Sequence, residues 1–184
     1  METRFLLVFA AIVGVYGWSD VLAQKNSKSI FRSKAHDKTY WPIFILFILN
    51  LIAVPFEALF SGKNPASQTF ITGLVLCVIA TVTRVKGQLD LKHGFSARVE
   101  LQADHTLVNT GLYRYIRHPL YLALILLLIG SDILFFSKFS WLFTLAAVFF
   151  ISARIRKEES FLMERLEGYT KYMELTKKLI PFIW

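Results

Sequence analysis

Two short stretches of this chain hold most of the residue types that do chemistry. The first, Arg98 to Tyr121, reads RVELQADHTLVNTGLYRYIRHPLY. Thr110-Gly111 supplies a turn, while Tyr113, Tyr115 and Tyr121 bring aromatic bodies with polar tips. Arg114, Arg117 and His118 concentrate positive charge just ahead of Pro119, a residue suited to the first turn of a helix. Each has a plain structural role: tyrosines form interfacial belts, arginines mark cytoplasmic loops, and a histidine before a helix-opening proline caps it. Their conjunction suits something more specific, because aromatic faces, donors and a helix N-terminus beside hydrocarbon fit a small anionic or zwitterionic cofactor meeting a lipid. The second stretch is RIRKEES, Arg154 to Ser160. Arg154 and Glu158 are four apart and share a helix face, a spacing that also permits a simple surface pair of about 0.2–0.5 kcal/mol. The functional alternative is that the carboxylate meets a cationic cofactor and the arginine an anionic substrate.

The elements that position these residues must be built largely in lipid. The chain has 184 residues, 55% of them hydrophobic, and a mean hydropathy of +0.49; soluble domains are roughly 45–50% apolar. Five apolar runs, Phe5 to Trp18, Trp41 to Phe60, Ser67 to Thr83, Pro119 to Phe136 and Phe139 to Ala153, predict an all-α polytopic membrane protein with about five transmembrane helices. The first run also has the length of a signal-peptide core, with Arg4 before it and Val21-Leu22-Ala23 after it, but the small-residue cleavage pattern is imperfect and a retained span is expected. Pro42 fits the first turn of the second run; Pro55 and Glu57 mark its far end, where Glu57 is expected to snorkel to the interface. The third run stops at Arg84. Ser137-Lys138 alone separates the fourth and fifth, which requires a tight helical hairpin. Beyond it, Phe161, Leu162, Leu166, Tyr169, Met173 and Leu175 recur mostly at three or four, predicting a cytoplasmic amphipathic C-terminal helix from Glu158. Gly168 weakens that helix by about 1 kcal/mol, and Pro181 follows its end. The chain thus divides into N-terminal spans, 1–84, and a functional region, 85–184.

Charge orients these spans. The formal net charge is +8, and all of the 21 lysines and arginines except Arg4, Lys63 and Lys138 fall in segments 24–40 and 84–118 or after residue 153. Five crossings put those three segments on one side, so the positive-inside rule predicts an outside N-terminus and a cytoplasmic C-terminus. In so apolar a chain the basic balance points to an anionic leaflet and membrane lipids rather than nucleic acid. Cys77 is the single cysteine, which excludes a disulfide, a zinc-thiolate site and a redox pair. The four histidines, at 36, 93, 105 and 118, are scattered, and no metal site is expected. Neither G-x-G-x-x-G, a Walker loop nor a G-x-S-x-G elbow occurs.

The string HTLVNTGLYRYIRHPLY, followed by R-x-x-x-E-E from Arg154 and by L-E-G-Y-x-x-Y from Leu166, resembles the isoprenylcysteine carboxyl methyltransferase family. That family belongs to a wider membrane group that includes phospholipid and small-thiol methyltransferases, and the resemblance covers roughly residues 85 to 182. It implies S-adenosyl-L-methionine as cofactor, held by Arg98, His105, Thr106, Leu107, Val108, Tyr113, His118, Pro119, Leu120, Tyr121 and Glu158. It implies that Arg154 is the catalytic and substrate-binding residue, handling the carboxylate of an isoprenylcysteine-like or other lipophilic acceptor that enters from the bilayer. Lys178 departs from the pattern, since arginine is more usual before the following Leu-Ile-Pro. No obligate protein partner is implied. A carboxylate acceptor is already ionised and needs no general base, so positioning by Arg154 and exclusion of water by the tail helix suffice. An amine or thiol acceptor, as in a phospholipid or thiol methyltransferase, needs a base, for which His118 and Glu159 are the nearby candidates. Two rivals remain, a membrane NADPH-dependent reductase of the related group and a non-enzymatic scaffold or transporter accessory; the first needs more arginines for its phosphates.

Overall fold

The computed structural model of the chain describes residues 3–26, 39–62, 65–91 and 107–180. They form six α-helices: α1 (Thr3–Asn26), α2 (Tyr40–Ser61), α3 (Ser67–Leu91), α4 (Pro119–Leu134), α5 (Ser140–Arg165) and α6 (Tyr169–Leu175), with a short 3-10 turn at Gly111–Arg114. The chain is an all-α, multi-pass membrane protein. Three helices, α1, α2 and α3, are long and apolar enough to cross a bilayer, and α4 is a shorter apolar helix. Large apolar side chains such as Ile52, Phe60, Val82 and Leu142 are exposed along them. Such extensive bare apolar faces would be aggregation sites in water and are what a lipid-facing bundle requires.

Packing runs in a chain of neighbours: α1 lies on α3, α3 on α4, and α4 on α5 and α2, with α2 packed along α5. The closest of these contacts, α3 on α4, depends on glycine. A Cβ at Gly73 would lie 2.6 Å from the Gly130 carbonyl oxygen, and one at Gly130 would lie 2.8 Å from Cys77 Sγ. Small residues let two backbones approach closely where apolar burial alone gives little driving force between helices. Cys77 is therefore a fully buried helix-facing residue.

Several expected boundaries move. α2 passes through Pro55 to Ser61, and α3 continues beyond Arg84 to Leu91. Apolar runs mark the part of a helix that meets lipid, whereas the hydrogen-bonded ladder continues into polar sequence. The tail is divided rather than being one amphipathic helix. α5 runs unbroken from the membrane hairpin to Arg165, and α6 starts after Gly168, whose φ of +80° is left-handed. Glycine at that position turns the chain instead of merely weakening a helix.

The tight α4–α5 hairpin is present, and its cap is Glu57. The Glu57 carboxylate accepts the backbone N–H groups of Lys138 (2.7 Å), Phe139 (3.1 Å) and Ser140 (2.8 Å). It thus satisfies the open donors of the α5 N-terminus, where negative charge is favoured. Nearby, Asn50 Nδ2 donates to Asp132 Oδ1 (2.9 Å) and Thr144 Oγ1 donates to Asp132 Oδ2 (2.6 Å), while Ser131 Oγ donates to Asn50 Oδ1 (3.1 Å). This fully buried polar knot joins α2, α4 and α5. Its bonded groups explain why polar side chains are tolerated there.

Candidate functional site

The site is assembled where α4 begins and where α5 leaves its apolar half. Arg84 prepares the start of α4. Its Nε and Nη2 donate to the two oxygens of Asp20 on α1 at 2.8 and 2.9 Å, and its Nη1 donates to the Leu120 carbonyl at 3.2 Å. One guanidinium thereby joins α1, α3 and the first turn of α4, using the planar fork that lysine lacks. The 3-10 turn is held in a similar way, with Leu112 N–H donating to Asp90 Oδ2 at 2.7 Å.

Tyr121, in the first turn of α4, meets two side chains of α5. Arg154 Nε donates to the Tyr121 oxygen at 2.6 Å, and the Tyr121 hydroxyl donates to Glu158 Oε2 at 2.7 Å. Arg154 is buried, and its guanidinium carbon lies 5.8 Å from the Tyr40 ring and 6.0 Å from the Tyr121 ring. The bond to the Tyr121 oxygen and the nearby Tyr40 ring together restrict the orientation of the guanidinium. Glu158 is only part-buried. Both residues singled out at a spacing of four thus face the same phenol, one as donor to it and one as acceptor from it.

A second cluster sits directly beside the first. Arg117 Nε donates to Glu159 Oε1 at 2.8 Å, His118 Nε2 lies 3.2 Å from the same oxygen, and Lys178 Nζ lies 3.4 Å from Oε2. Arg117 Nη1 donates further to the carbonyls of Met173 (3.1 Å) and Thr176. The backbones are paired as well: Arg117 N–H donates to Lys177 O (2.8 Å), His118 N–H to Lys178 O (3.0 Å), and Lys177 N–H to Tyr115 O (3.1 Å). Tyr172 adds a hydroxyl donated to the Tyr113 carbonyl at 2.6 Å.

These contacts set the electrostatics. Burial alone would raise the Glu159 carboxyl, but the bonds from His118 and Arg117 prevail and pull it down to about 2. With its oxygens engaged by Arg117, His118 and Lys178, it is an ionised acceptor inside a clamp and poorly placed to take a proton from a substrate. Burial pushes the Tyr172 phenol up to about 12, keeping it a donor. The Tyr113 phenol is also raised well above its ordinary value, first by burial and then by the neighbouring Glu158 charge.

The structure brings together Tyr113, His118, Pro119, Leu120, Tyr121, Arg154 and Glu158 around one corner of the bundle. The His118 ring makes no bond to the helix start and turns to Glu159 instead. Leu107 and Val108 are half-buried on the approach to the 3-10 turn. Arg98, His105 and Thr106 lie outside the described residues, as do most of the basic residues of segment 24–40 and Lys63. Sequence reasoning missed Tyr40 as an aromatic neighbour of Arg154, and Tyr172, Thr176 and Lys178 as members of the clamp. The Y-x-x-Y spacing and the adjacent pairs Arg117-His118 and Glu158-Glu159 were the available signals, since neighbours on a helix or strand face different partners.

Comparison with known proteins places this corner in context. A family model described as the isoprenylcysteine carboxyl methyltransferase (ICMT) family matches residues 73–164. The chain is 33% identical over 131 residues to the protein-S-isoprenylcysteine O-methyltransferase of Saccharomyces cerevisiae, covering 68% of this chain and 54% of that protein. It is 32% identical over 115 residues to the Tribolium castaneum protein of the same name, covering 60% and 41%. The chain therefore spans about half the length of these two relatives. With the Dictyostelium discoideum protein-S-isoprenylcysteine O-methyltransferase it shares 31% identity over 184 residues, covering 97% of this chain and 78% of that one. A solved structure of a eukaryotic intramembrane Ras methyltransferase, isoprenylcysteine carboxyl methyltransferase, superposes with a TM-score of 0.71 at 24% identity, over 97% of this chain and 68% of that one.

Proposed function

Because the chain belongs to the isoprenylcysteine carboxyl methyltransferase family, we propose that it is an integral-membrane S-adenosylmethionine-dependent methyltransferase acting on the carboxylate of an isoprenylcysteine-like acceptor. The observation that carries this reading is the Arg154–Tyr121–Glu158 arrangement. A buried cation and a part-buried carboxylate lie on one helix face and are locked through one phenol. The donor set fits the cofactor: Glu158 can meet a positive charge, and the Tyr121 and His118 rings, 5.7 Å apart, give it aromatic company. When bound, S-adenosylmethionine supplies an electrophilic methyl group on a cationic sulfonium.

This chain's own residues then orient and desolvate. Arg154, bonded to the Tyr121 hydroxyl and close to the Tyr40 ring, presents a guanidinium edge to an acceptor carboxylate. A carboxylate is the nucleophile as it stands, so no proton has to move, consistent with a Glu159 poorly placed to take one. Orientation of this kind supplies about 7–11 kcal/mol in favourable cases. The acceptor's lipid portion reaches the site laterally past the exposed apolar faces. The distribution of lysine and arginine supports a cytoplasmic position for this corner and the C-terminus, with the N-terminus outside. Arg117 and Lys178 already face Glu159, which leaves little cationic capacity there for the phosphates of a nicotinamide cofactor.

The test is calorimetric titration of the purified protein with S-adenosylmethionine and with NADPH, followed by methyl transfer to a farnesylcysteine acid. Saturable binding of the first and ester formation are expected. Binding of NADPH alone, or methylation confined to amines and thiols, would overturn the assignment.

A further inference from the structure

We propose that Glu159 is a positioning residue: its carboxylate latches the segment after α6 onto the turn at residues 115–118 and so holds the cofactor-binding face in shape. The proposal rests on the methyltransferase reading for the identity of the ligand, but the latch itself is geometric. Glu159 is buried on α5, and its two oxygens gather side chains from two other segments, Arg117 and His118 before α4 and Lys178 after α6. Arg117 carries the connection onward to the carbonyls of Met173 and Thr176. The parallel pairing of Ile116 with Lys177 then fixes both backbones in register.

This position matters because every latch member adjoins a residue assigned to the cofactor or the turn beside it. His118 is itself in that set, Glu159 follows Glu158, and Tyr113 is held by the Tyr172 hydroxyl. A buried guanidinium left without its carboxylate is far more costly than a lost surface pair. Removing the Glu159 charge should therefore unseat the tail before it unfolds the membrane helices: the larger apolar cluster, around Val54, Cys77 and Leu127, includes no tail residue, and the tail adds only Leu179 to the smaller one with Ile43, Ile151 and Ile155. By linkage, a ligand that prefers the seated tail must also favour seating.

The Lys177–Lys178 peptide offers a direct readout. It lies within the paired segment, hydrogen-bonded through Lys177 N–H, Lys177 O and Lys178 O, and trypsin can cut it only when the segment is released. In detergent-purified full-length protein, Glu159→Gln is expected to raise cleavage after Lys177 by about tenfold or more and to weaken S-adenosylmethionine binding by a similar factor. At saturating cofactor, KM for a farnesylcysteine acid should stay within about twofold, and Glu159→Asp should recover part of both losses. For the unmodified protein, saturating S-adenosylmethionine should slow the same cleavage, a measurement that needs no variant to fold. Unchanged cleavage and cofactor affinity in Glu159→Gln would overturn the latch, as would cleavage of the unmodified protein that is indifferent to bound cofactor. Failure of the unmodified protein to bind S-adenosylmethionine while the tail still depends on Glu159 would instead sink the methyltransferase reading and leave the latch standing.

Discussion

Tyr121 accepts a hydrogen bond from Arg154 and donates one to Glu158, so a single phenol aligns the two charges that are proposed to meet different ligands. Their functions should separate by mutation. Arg154→Ala is expected to keep cofactor affinity but lower turnover on a farnesylcysteine acid at least tenfold, roughly the loss of a charge-assisted bond, with Arg154→Lys restoring only part. Glu158→Ala should do the reverse and lose cofactor affinity first. Binding calorimetry and steady-state rates on the same preparations check both outcomes. A second residue-level expectation concerns acid. Glu159 is held at about 2 against an ordinary 4.5, so its contribution to seating the tail is complete above about pH 4.5 and is lost as pH falls toward 2. Tail protection followed by an acid-active protease should decline across that window in the unmodified protein and not in Glu159→Gln. Arg154, Glu158, Tyr121 and His118 were legible in the sequence because their spacing and chemistry are local. Glu159 was legible only as a possible base, because its partners come from residues 117, 118 and 178 and only the fold brings them together. Asn50 and Asp132 were passed over for the same reason, since each is an isolated polar letter in an apolar run.

Among the elements, the apolar runs located each of α1 to α5 in the described residues but not where those helices end. α3 and α5 continue into charged sequence, to Leu91 and Arg165, carrying Gln88 and Glu158 on the same rigid rods as the lipid-facing residues. That continuity lets α5 present Arg154, Glu158 and Glu159 in fixed relation to the bundle, which a separate surface helix could not do. Periodicity alone did not reveal the break before α6, because the apolar spacing is kept on both sides of it while the backbone reverses hand at one residue. The turn at Gly168 is accordingly the weak point of the tail. A Cβ there meets nothing within 4 Å, so Gly168→Ala carries only the left-handed backbone penalty, about 1 kcal/mol. A small drop in detergent melting temperature with faster tryptic release of the tail is expected, and a variant as stable as the unmodified protein would refute the conformational assignment.

For the molecule as a whole, the charge asymmetry makes a claim that packing does not. Reporter fusions after Trp184 should be cytoplasmic, and an insertion at Lys138, in the α4–α5 hairpin, should be exported; a cytoplasmic signal at Lys138 would reverse the orientation. The hairpin itself has a further consequence. α4 contains 16 residues, about 24 Å of helix at 1.5 Å per residue, against a hydrocarbon core of about 30 Å. Neighbouring α2 and α3, with 22 and 25 residues, have no such shortfall. The apolar length of α4 thus falls short of the hydrocarbon core, and the turn that follows it, beside Thr69 of α3 and gripped by Glu57 of α2, completes the crossing. A leaflet that thins to match the apolar length of α4 does so at a cost of fractions of a kcal/mol per Å. Hydrophobic mismatch thus makes membrane thickness a determinant of where this protein is stable. In vesicles of graded acyl-chain length, thermal stability should peak in the thinner bilayers and fall as the chains lengthen, whereas a flat profile would mean that the short hairpin is accommodated without deforming the lipid.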